Sequence, residues 1–243
     1  LKMNTNMENK KVCFITGATG DIGKYVVAEG VKRGYKIVAF GRNEEKLQVL
    51  KSEHGDAVDI ISLDLSSRAN IEESLNTILI RMHEVDSVIN STGKFAWDYI
   101  YPGESVDEQR LSAIEDLEEQ NYLAPMRFVD VLKKCYQSQN KVKILNVSSH
   151  AASFPLKDLI IWPEWGYVLS KRSFSKATIS RGLDKDEKFK YLLIEPKIID
   201  TPKMRADFND TTETRRPQIK VDWDKDAQKP ENLASEMFDM LGN

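Results

Sequence analysis

The chain has 243 residues, of which 41% are hydrophobic and 30% charged, a composition typical of a globular domain with a sizeable core. Its formal net charge of −3 argues against a general nucleic-acid-binding protein or a binder of anionic membranes. The two cysteines and three scattered histidines have no zinc-ligand spacing, so we predict no metal site and expect a cytoplasmic protein with free thiols.

Taken in chain order, residues 1–10 lack the apolar core of a secretory signal, and we predict a disordered leader there. Apolar segments then alternate with amphipathic ones, as expected for strands and helices. The predicted strands are 11–16, 36–40, one within 57–65, 85–90, 141–148 and 189–195. The predicted helices are 21–34, 43–54 with Asn43 as N-cap, 69–83, 106–136 bent near Pro125, 166–183 and 230–243.

This alternation, with nearly continuous apolar strands, predicts a parallel sheet covered by helices on both faces. Right-handed crossovers make it a Rossmann-type doubly wound α/β fold, which we expect to form a single domain over 1–243. Ligands of such sheets bind at the carboxyl ends of the strands, near the reversal of strand order. Residues that directly follow strands are therefore the candidates for a site.

The first such stretch is TGATGDIG, 16–23, which follows the first strand and opens the first helix. Glycines allow a tight turn and the close approach of a pyrophosphate to the helix N-terminus, although an unrelated fold can also carry a glycine-rich turn. Asp21 is alternatively the N-cap of the helix. The cofactor-binding candidates here are Gly17, Thr19, Gly20, Asp21, Ile22 and Gly23.

The second strand ends at Gly41-Arg42 without a carboxylate. An acid at this position would hold the ribose 2′-hydroxyl of NAD, whereas arginine suits the 2′-phosphate of NADP. NADP(H) is therefore favoured, NAD(H) stays open, and Arg42 is otherwise a solvated loop cation. After the third strand, Asp64-Leu65 is positioned to contact adenine, unless Asp64 is a plain turn residue.

Near the end of the alternation, GYVLSK, 166–171, places Tyr167 and Lys171 one helical turn apart on the same face. The helix dipole and a nearby cation would both lower the pKa of the phenol, which makes a general acid or base from a tyrosine. A tyrosine and a lysine at this spacing also arise by chance, so the pair depends on its surroundings for its meaning.

Those surroundings resemble the short-chain dehydrogenase/reductase family in its short single-domain form, from about 11 to 202. The resemblance rests on TGATGDIG, NSTG at 90–93, Asn121 in the long helix, NVSS at 146–149, YVLSK, and the segment EPKIIDTP at 195–202. It implies an NAD(P)-dependent enzyme that interconverts a ketone or aldehyde with an alcohol by hydride transfer.

The resemblance also implies roles for single residues. Tyr167 would donate or accept the proton, and Lys171 would lower its pKa and hold the nicotinamide ribose. Ser149 would orient the substrate oxygen, and Asn121 would hold a water that links Lys171 to solvent, although both could be plain turn or cap residues. The further cofactor contacts would be Asn90, Ser91, Gly93, Pro196, Ile199 and Thr201.

Four features depart from the family pattern, three of them in the glycine turn, after Pro196 and in two loops. Asp21 replaces a glycine, and the Gly17-Gly20-Gly23 spacing is typical of the sugar-nucleotide-modifying branch. Lys197 replaces the glycine that usually follows Pro196, which either costs little or places a cation near the cofactor or substrate. The aromatic-rich loops 94–101 and 154–165 would form an apolar pocket for an apolar or aromatic substrate, or would pack together or in a subunit interface.

The sequence has no segment for the family's seventh, edge strand, which predicts six strands and favours a homodimer over a homotetramer. The dimer would form through the helices that begin near Asp107 and Gly166. The polar segment 203–228 is predicted to be a mobile substrate lid. Two other functions stay open: a catalytically inactive dinucleotide-binding regulatory protein, and a sugar-nucleotide epimerase or dehydratase.

Overall fold

A computed structural model of the protein describes residues 10–95, 108–153, 165–184, 186–207 and 221–242. Its main sheet has six parallel strands, namely β1 Val12–Thr16, β2 Lys36–Gly41, β3 Val58–Ser62, β4 Ser87–Asn90, β5 Val142–Val147 and β6 Phe189–Ile194. Their order is β3-β2-β1-β4-β5-β6, so the strand order reverses between β1 and β4. The predicted Rossmann-type sheet of six strands is confirmed.

Helices pack on both faces of this sheet. They are α1 Gly23–Lys32, α2 Glu44–His54, α3 Arg68–Met82, α4 Glu108–Glu118, α5 Ala124–Cys135, α6 Trp165–Gly182, the short α7 Trp223–Asp226 and α8 Pro230–Gly242. Alternate residues of β1 enter two separate cores: Phe14 packs with α3 and α5, whereas Cys13 and Ile15 pack with α1, α2 and α8. Two covered faces explain why the strands are apolar throughout. None of the described helices is long and apolar enough to cross a membrane.

Side-chain caps explain where two of the helices begin. Asn43 Oδ1 accepts a hydrogen bond from Lys46 N at 2.8 Å, as predicted, and Ser67 Oγ accepts one from Asn70 N at 3.3 Å. The alternative role of Asp21 as a cap of α1 is wrong. The N-cap position of α1 is occupied by Ile22, which makes no side-chain cap bond, so the helix begins one residue too late for Asp21.

The long helical segment is interrupted just before its proline. A π-helical segment, Glu119–Leu123, joins α4 to α5, and Pro125 follows two residues after it. A proline inside a helix cannot donate the backbone hydrogen bond to the preceding turn. The bend predicted near Pro125 stays a prediction. The interruption contains Asn121, which is fully buried. π-Helical turns are frequent at functional sites.

A second, two-stranded sheet was not predicted. β7 Ile198–Ile199 pairs in parallel with β8 Ala227–Gln228, and Asp200 forms ion pairs with Arg205 and Lys229. Hydrogen bonds from Arg205 and then Lys229 hold the pKa of the Asp200 carboxyl well below its usual range. The predicted lid, 203–228, thus includes helical residues 203–207, α7 and β8, while 208–220 lies outside the described residues. Its mobility stays a prediction.

Candidate active site

A cleft of about 290 Å³ opens at the carboxyl ends of β1 to β4, where the strand order reverses. Four separate stretches of the sequence meet there because parallel strands end at the same edge of the sheet. Nine of the predicted cofactor-binding residues line it: Gly17, Thr19, Gly20, Gly41, Arg42, Asp64, Leu65, Ser91 and Gly93. Asp21, Ile22, Gly23 and Asn90 are not among its lining residues.

The glycine-rich turn requires glycine at two positions. Gly17 has a φ of +69°, and a Cβ there would lie 2.7 Å from the Ser91 carbonyl oxygen. A Cβ on Gly23 would lie 2.0 Å from the Gly17 carbonyl oxygen. Gly23 therefore allows α1 to begin directly against the turn, which explains its place in the motif although it does not line the cleft.

Two hydroxyl groups in the cleft wall lack partners. Ser91 Oγ and Thr92 Oγ1 are buried and form no hydrogen bond within the described part of the chain. Both residues line the cleft. Buried hydroxyl groups are normally hydrogen-bonded, so these two donors fit a polar ligand in the cleft. Together with the glycine turn, they fit a dinucleotide.

The far end of the cleft contains Arg42 and Asp64. Arg42 is exposed, and its Nη2 donates a hydrogen bond to Gln120 Oε1 at 3.3 Å. Asp64 Oδ1 accepts from Ser66 N at 3.0 Å, and this backbone bond is the main reason why the pKa of Asp64 is lowered. Asp64 therefore occupies a turn, which was one of the two interpretations of this residue. It also lines the cleft.

At the other end of the site, α6 brings Tyr167 and Lys171 together. Lys171 is buried, its Nζ donates to the Val147 carbonyl oxygen at 3.3 Å, and the same atom lies 6.0 Å from the centroid of the Tyr167 ring. Burial lowers the pKa of Lys171 to about 8. Gly93 lies beside it, since a Cβ on Gly93 would be 3.0 Å from Lys171 Nζ. The lysine thus reaches the edge of the cleft.

Asn121 joins the loop after β4 to α6. Its Oδ1 accepts from Lys94 N at 2.6 Å, while its Nδ2 donates to the Lys94 carbonyl oxygen at 2.9 Å and to Ser170 Oγ at 3.0 Å. A Cβ on Gly93 would lie 3.1 Å from Asn121 Oδ1. Gly93 therefore touches both Asn121 and Lys171, and the structure brings these three predicted residues together.

The serine pair that follows β5 divides into a buried and a partly exposed member. Ser148 Oγ donates to the Lys171 carbonyl oxygen at 3.0 Å and lies 2.7 Å from Ser175 Oγ. Ser149 is half-buried, and its Oγ accepts from Ala151 N at 3.2 Å. A hydroxyl that accepts one bond still has its proton to donate. Among the described residues, Ser149 is thus the member of the pair whose hydroxyl proton has no acceptor.

Residues after β6 occupy mostly structural positions. The Pro196 carbonyl oxygen accepts from His150 N at 2.9 Å, which holds this segment beside the serine pair. Ile199 lies in β7, and the buried Thr201 accepts from Met204 N at 3.1 Å through its Oγ1. The hydroxyl proton of Thr201 can still be donated.

One set of residues beneath the site was missed. A chain of buried hydrogen bonds runs from Thr16 through Asn90 and Asn146 to Thr178, with distances of 3.0, 2.7 and 2.8 Å. It links β1, β4 and β5 to α6, and Asn90 lies fully buried within it. The signal was Thr178, a hydroxyl residue seven positions after Lys171, which shares its helical face.

The predicted aromatic pocket is described only in part. Phe95 packs edge-on against Tyr167, with ring centroids 5.0 Å apart and an interplanar angle of 79°. Residues 96–101 and 154–164 lie outside the described residues. Phe95 therefore gives the tyrosine ring an apolar neighbour, and the rest of the predicted pocket stays a prediction.

Comparisons with known proteins agree on one family. The family model for short chain dehydrogenases matches residues 11–210. The NADP-dependent 3-hydroxy acid dehydrogenase YdfG of Escherichia coli (strain K12) is 28% identical over 147 residues, which cover 59% of this chain and 56% of that relative. The alignment thus spans little more than half the length of that curated relative.

Solved structures share the fold. Actinorhodin polyketide ketoreductase, solved as a variant with NADPH, superposes with a TM-score of 0.79 at 20% identity, covering 96% of this chain and 90% of the other. ElxO with NADP bound gives 0.78 at 20% identity, covering 97% and 92%. At this identity the similarity establishes the fold.

Proposed function

Because the chain belongs to the short-chain dehydrogenase family, we propose that it is an NADP(H)-dependent oxidoreductase that interconverts a ketone or aldehyde with an alcohol. The observation that carries the proposal is the buried Lys171 beside Tyr167, next to a cleft with two hydroxyl groups that have no hydrogen-bond partner among the described residues. The curated relative is named as NADP-dependent, and the two solved structures contain NADPH and NADP, which supports the cofactor assignment.

When bound, the cofactor supplies the hydride chemistry. The chain's own residues bind and orient it: Arg42 is the cation suited to a 2′-phosphate, and Ser91 and Thr92 offer hydroxyl donors. Tyr167 moves the proton at the substrate oxygen, and the Lys171 ammonium favours its phenolate form. Ser149 Oγ donates a hydrogen bond to the same oxygen.

Arg42 provides the test of cofactor choice. We expect Arg42→Ala to weaken NADPH binding by about 10-fold to 100-fold, because a charge-assisted hydrogen bond to a phosphate contributes about 1.5–3 kcal/mol. NADH affinity should change little, since NADH has no 2′-phosphate. Fluorescence titration with both cofactors measures the difference. Equal losses for NADPH and NADH would mean that Arg42 does not read the 2′-phosphate.

The serine pair provides a matched test of substrate orientation. We expect Ser149→Ala to lower kcat about 10²-fold, as loss of one donor to a reacting oxygen typically does. Ser148→Ala should mainly reduce stability, by about 1–2 kcal/mol, because its hydroxyl bonds inside the fold. Steady-state kinetics and thermal unfolding of both variants distinguish the roles. A larger kinetic loss in Ser148→Ala would reverse the assignment.

The two other functions predict different behaviour with the same reagents. An inactive regulatory protein would bind NADPH without consuming it in the presence of any carbonyl compound. An epimerase or dehydratase, favoured by the Gly17-Gly20-Gly23 spacing, would retain its cofactor tightly and show no net consumption. A screen of carbonyl compounds for NADPH oxidation therefore distinguishes the proposed oxidoreductase from both.

We also propose that the protein forms a homodimer through α4 and α6. Leu111 on α4 and Ile179 on α6 are about half-exposed large apolar side chains, which supports a contact surface on these helices. Light scattering of the purified protein measures the oligomeric state.

A further inference from the structure

The cleft that contains Arg42 also contains carboxylates. Asp64, Asp116 and Glu119 all line it, so acidic residues outnumber the single lining arginine. A carboxylate next to a bound 2′-phosphate would repel it, and it would also compete with the phosphate for the guanidinium. Discrimination in favour of NADPH therefore requires that these acids be held away from Arg42.

Two of the acids have cation partners of their own. Lys94 Nζ lies 2.6 Å from Asp116 Oδ2. Arg127 forms a two-pronged pair with Glu119, at 2.6 and 3.1 Å, and its Nη1 also donates to the Leu65 carbonyl oxygen at 2.7 Å. The lysine and the arginine thus neutralise carboxylates that face the cleft, although neither of them lines it.

Gln120 separates Asp116 from Arg42. Its Nε2 donates to Asp116 Oδ1 at 2.5 Å, and its Oε1 accepts from Arg42 Nη2 at 3.3 Å. Hydrogen bonds from Lys94 and Gln120, and to a smaller extent the charge of Arg42, lower the pKa of Asp116. Among the described residues Arg42 forms no ion pair, and its one side-chain partner is a neutral amide.

We propose that Lys94 determines the preference for a 2′-phosphorylated cofactor by holding Asp116 away from Arg42. The inference rests on the proposed binding of NADP(H) in this cleft. Lys94 acts as a positioning residue, since its ammonium contacts Asp116 and the residue does not line the cleft. With Lys94 present, the carboxylate is paired and Arg42 keeps only a weak contact that a phosphate can replace. Without it, Asp116 would pair with Arg42 and present an uncompensated charge to the 2′-phosphate.

If the Lys94–Asp116 pair had only a structural role, its removal would not change the cofactor preference. Both side chains are well exposed, at 48% for Lys94 and 40% for Asp116, and surface ion pairs of this kind contribute little to stability. Removal of such a pair should leave the relative affinity for NADPH and NADH unchanged. The ratio of the dissociation constants for NADPH and NADH therefore distinguishes the two roles, because loss of a structural pair would leave it unchanged.

The experiment uses the full chain and fluorescence titration with NADPH and NADH. Lys94→Met should weaken NADPH binding by about fivefold to tenfold and NADH binding by less than about twofold, as expected for one unscreened charge near the 2′-phosphate. Lys94→Met combined with Asp116→Asn should restore the NADPH preference, because the competing charge is gone. Lys134→Met is the control, since Lys134 forms a similarly exposed pair with Glu72 at 2.8 Å on α3 and α5.

Two results would overturn the inference: an unchanged ratio in Lys94→Met, or a double variant that does not regain the NADPH preference. Circular dichroism of each variant establishes that it is folded, and Asp116→Asn alone provides a second folded variant that should keep the preference. A wild-type chain that binds NADPH no better than NADH would contradict the proposed cofactor preference itself, and the inference with it.

Discussion

Tyr167→Phe should remove most of the turnover and leave NADPH binding nearly intact. General acid and base groups typically contribute 10²–10⁴-fold to a rate, and the phenol is the group proposed to move the proton. The ring itself should stay in place, because Phe95 packs against it edge-on and Lys171 lies over it. We therefore expect kcat to fall by about 10²-fold or more. Steady-state kinetics and NADPH titration measure the two effects.

Tyr25→Phe on α1 is a suitable control for this change. Tyr25 is half-buried, lies near Lys24 and does not line the cleft, so its phenol has no proposed role. Turnover in this variant should match the wild type. Undiminished turnover in Tyr167→Phe would contradict the assignment of the proton donor.

Lys171→Met should abolish most activity and yet stabilise the folded chain without cofactor. Burial lowers the pKa of Lys171 from its ordinary value of 10.5 to about 8, since the ammonium is removed from water without a carboxylate partner among the described residues. This difference in pKa corresponds to a destabilisation of about 3 kcal/mol at most. Methionine avoids this cost of burying an ammonium. It leaves the Val147 carbonyl oxygen without its donor, which costs about 1 kcal/mol.

The stability difference between Lys171→Met and the wild type should depend on pH. Between pH 8 and 10.5 the unfolded chain binds more protons at Lys171 than the folded chain does, so this group makes stability rise with pH through that window. The stability of Lys171→Met should lack this rise with pH. The variant should exceed the wild type in stability most clearly below pH 8. Chemical unfolding at several pH values measures it. A variant less stable than the wild type at pH 7 would show that the buried ammonium has a stabilising partner.

Much of the fold followed from patterns that local chemistry controls. Buried parallel strands are apolar on both faces, and their alternation with helices specified the sheet before any contact was known. Asn43 marked the start of α2 because its side chain caps the helix through neighbouring residues alone. The glycine turn at Gly17 and the Tyr167–Lys171 pair are likewise short-range patterns, and the structure brings the pair to the same edge of the sheet as the turn.

Features that depend on distant contacts could not be predicted. The π-helical segment around Asn121 is held by bonds to Lys94 and Ser170, which lie far away in the sequence. β7 and β8 have two residues each and gain their partner only after the chain folds. The carboxylates of the long helix that line the cleft gave no motif, because Asp116 and Glu119 look like ordinary charges on a solvated helix.

We propose that the chain transfers hydride from NADPH to a carbonyl compound, with Tyr167 as proton donor. The most direct test of this proposal mixes the full chain with NADPH and a panel of ketones and aldehydes, and follows the loss of NADPH fluorescence in the wild type and in Tyr167→Phe. We expect oxidation of NADPH that depends on a carbonyl compound in the wild type and is at least about 10²-fold slower in the variant. NADPH that binds but is not consumed with any carbonyl compound, or equal rates in the two proteins, would contradict the claim.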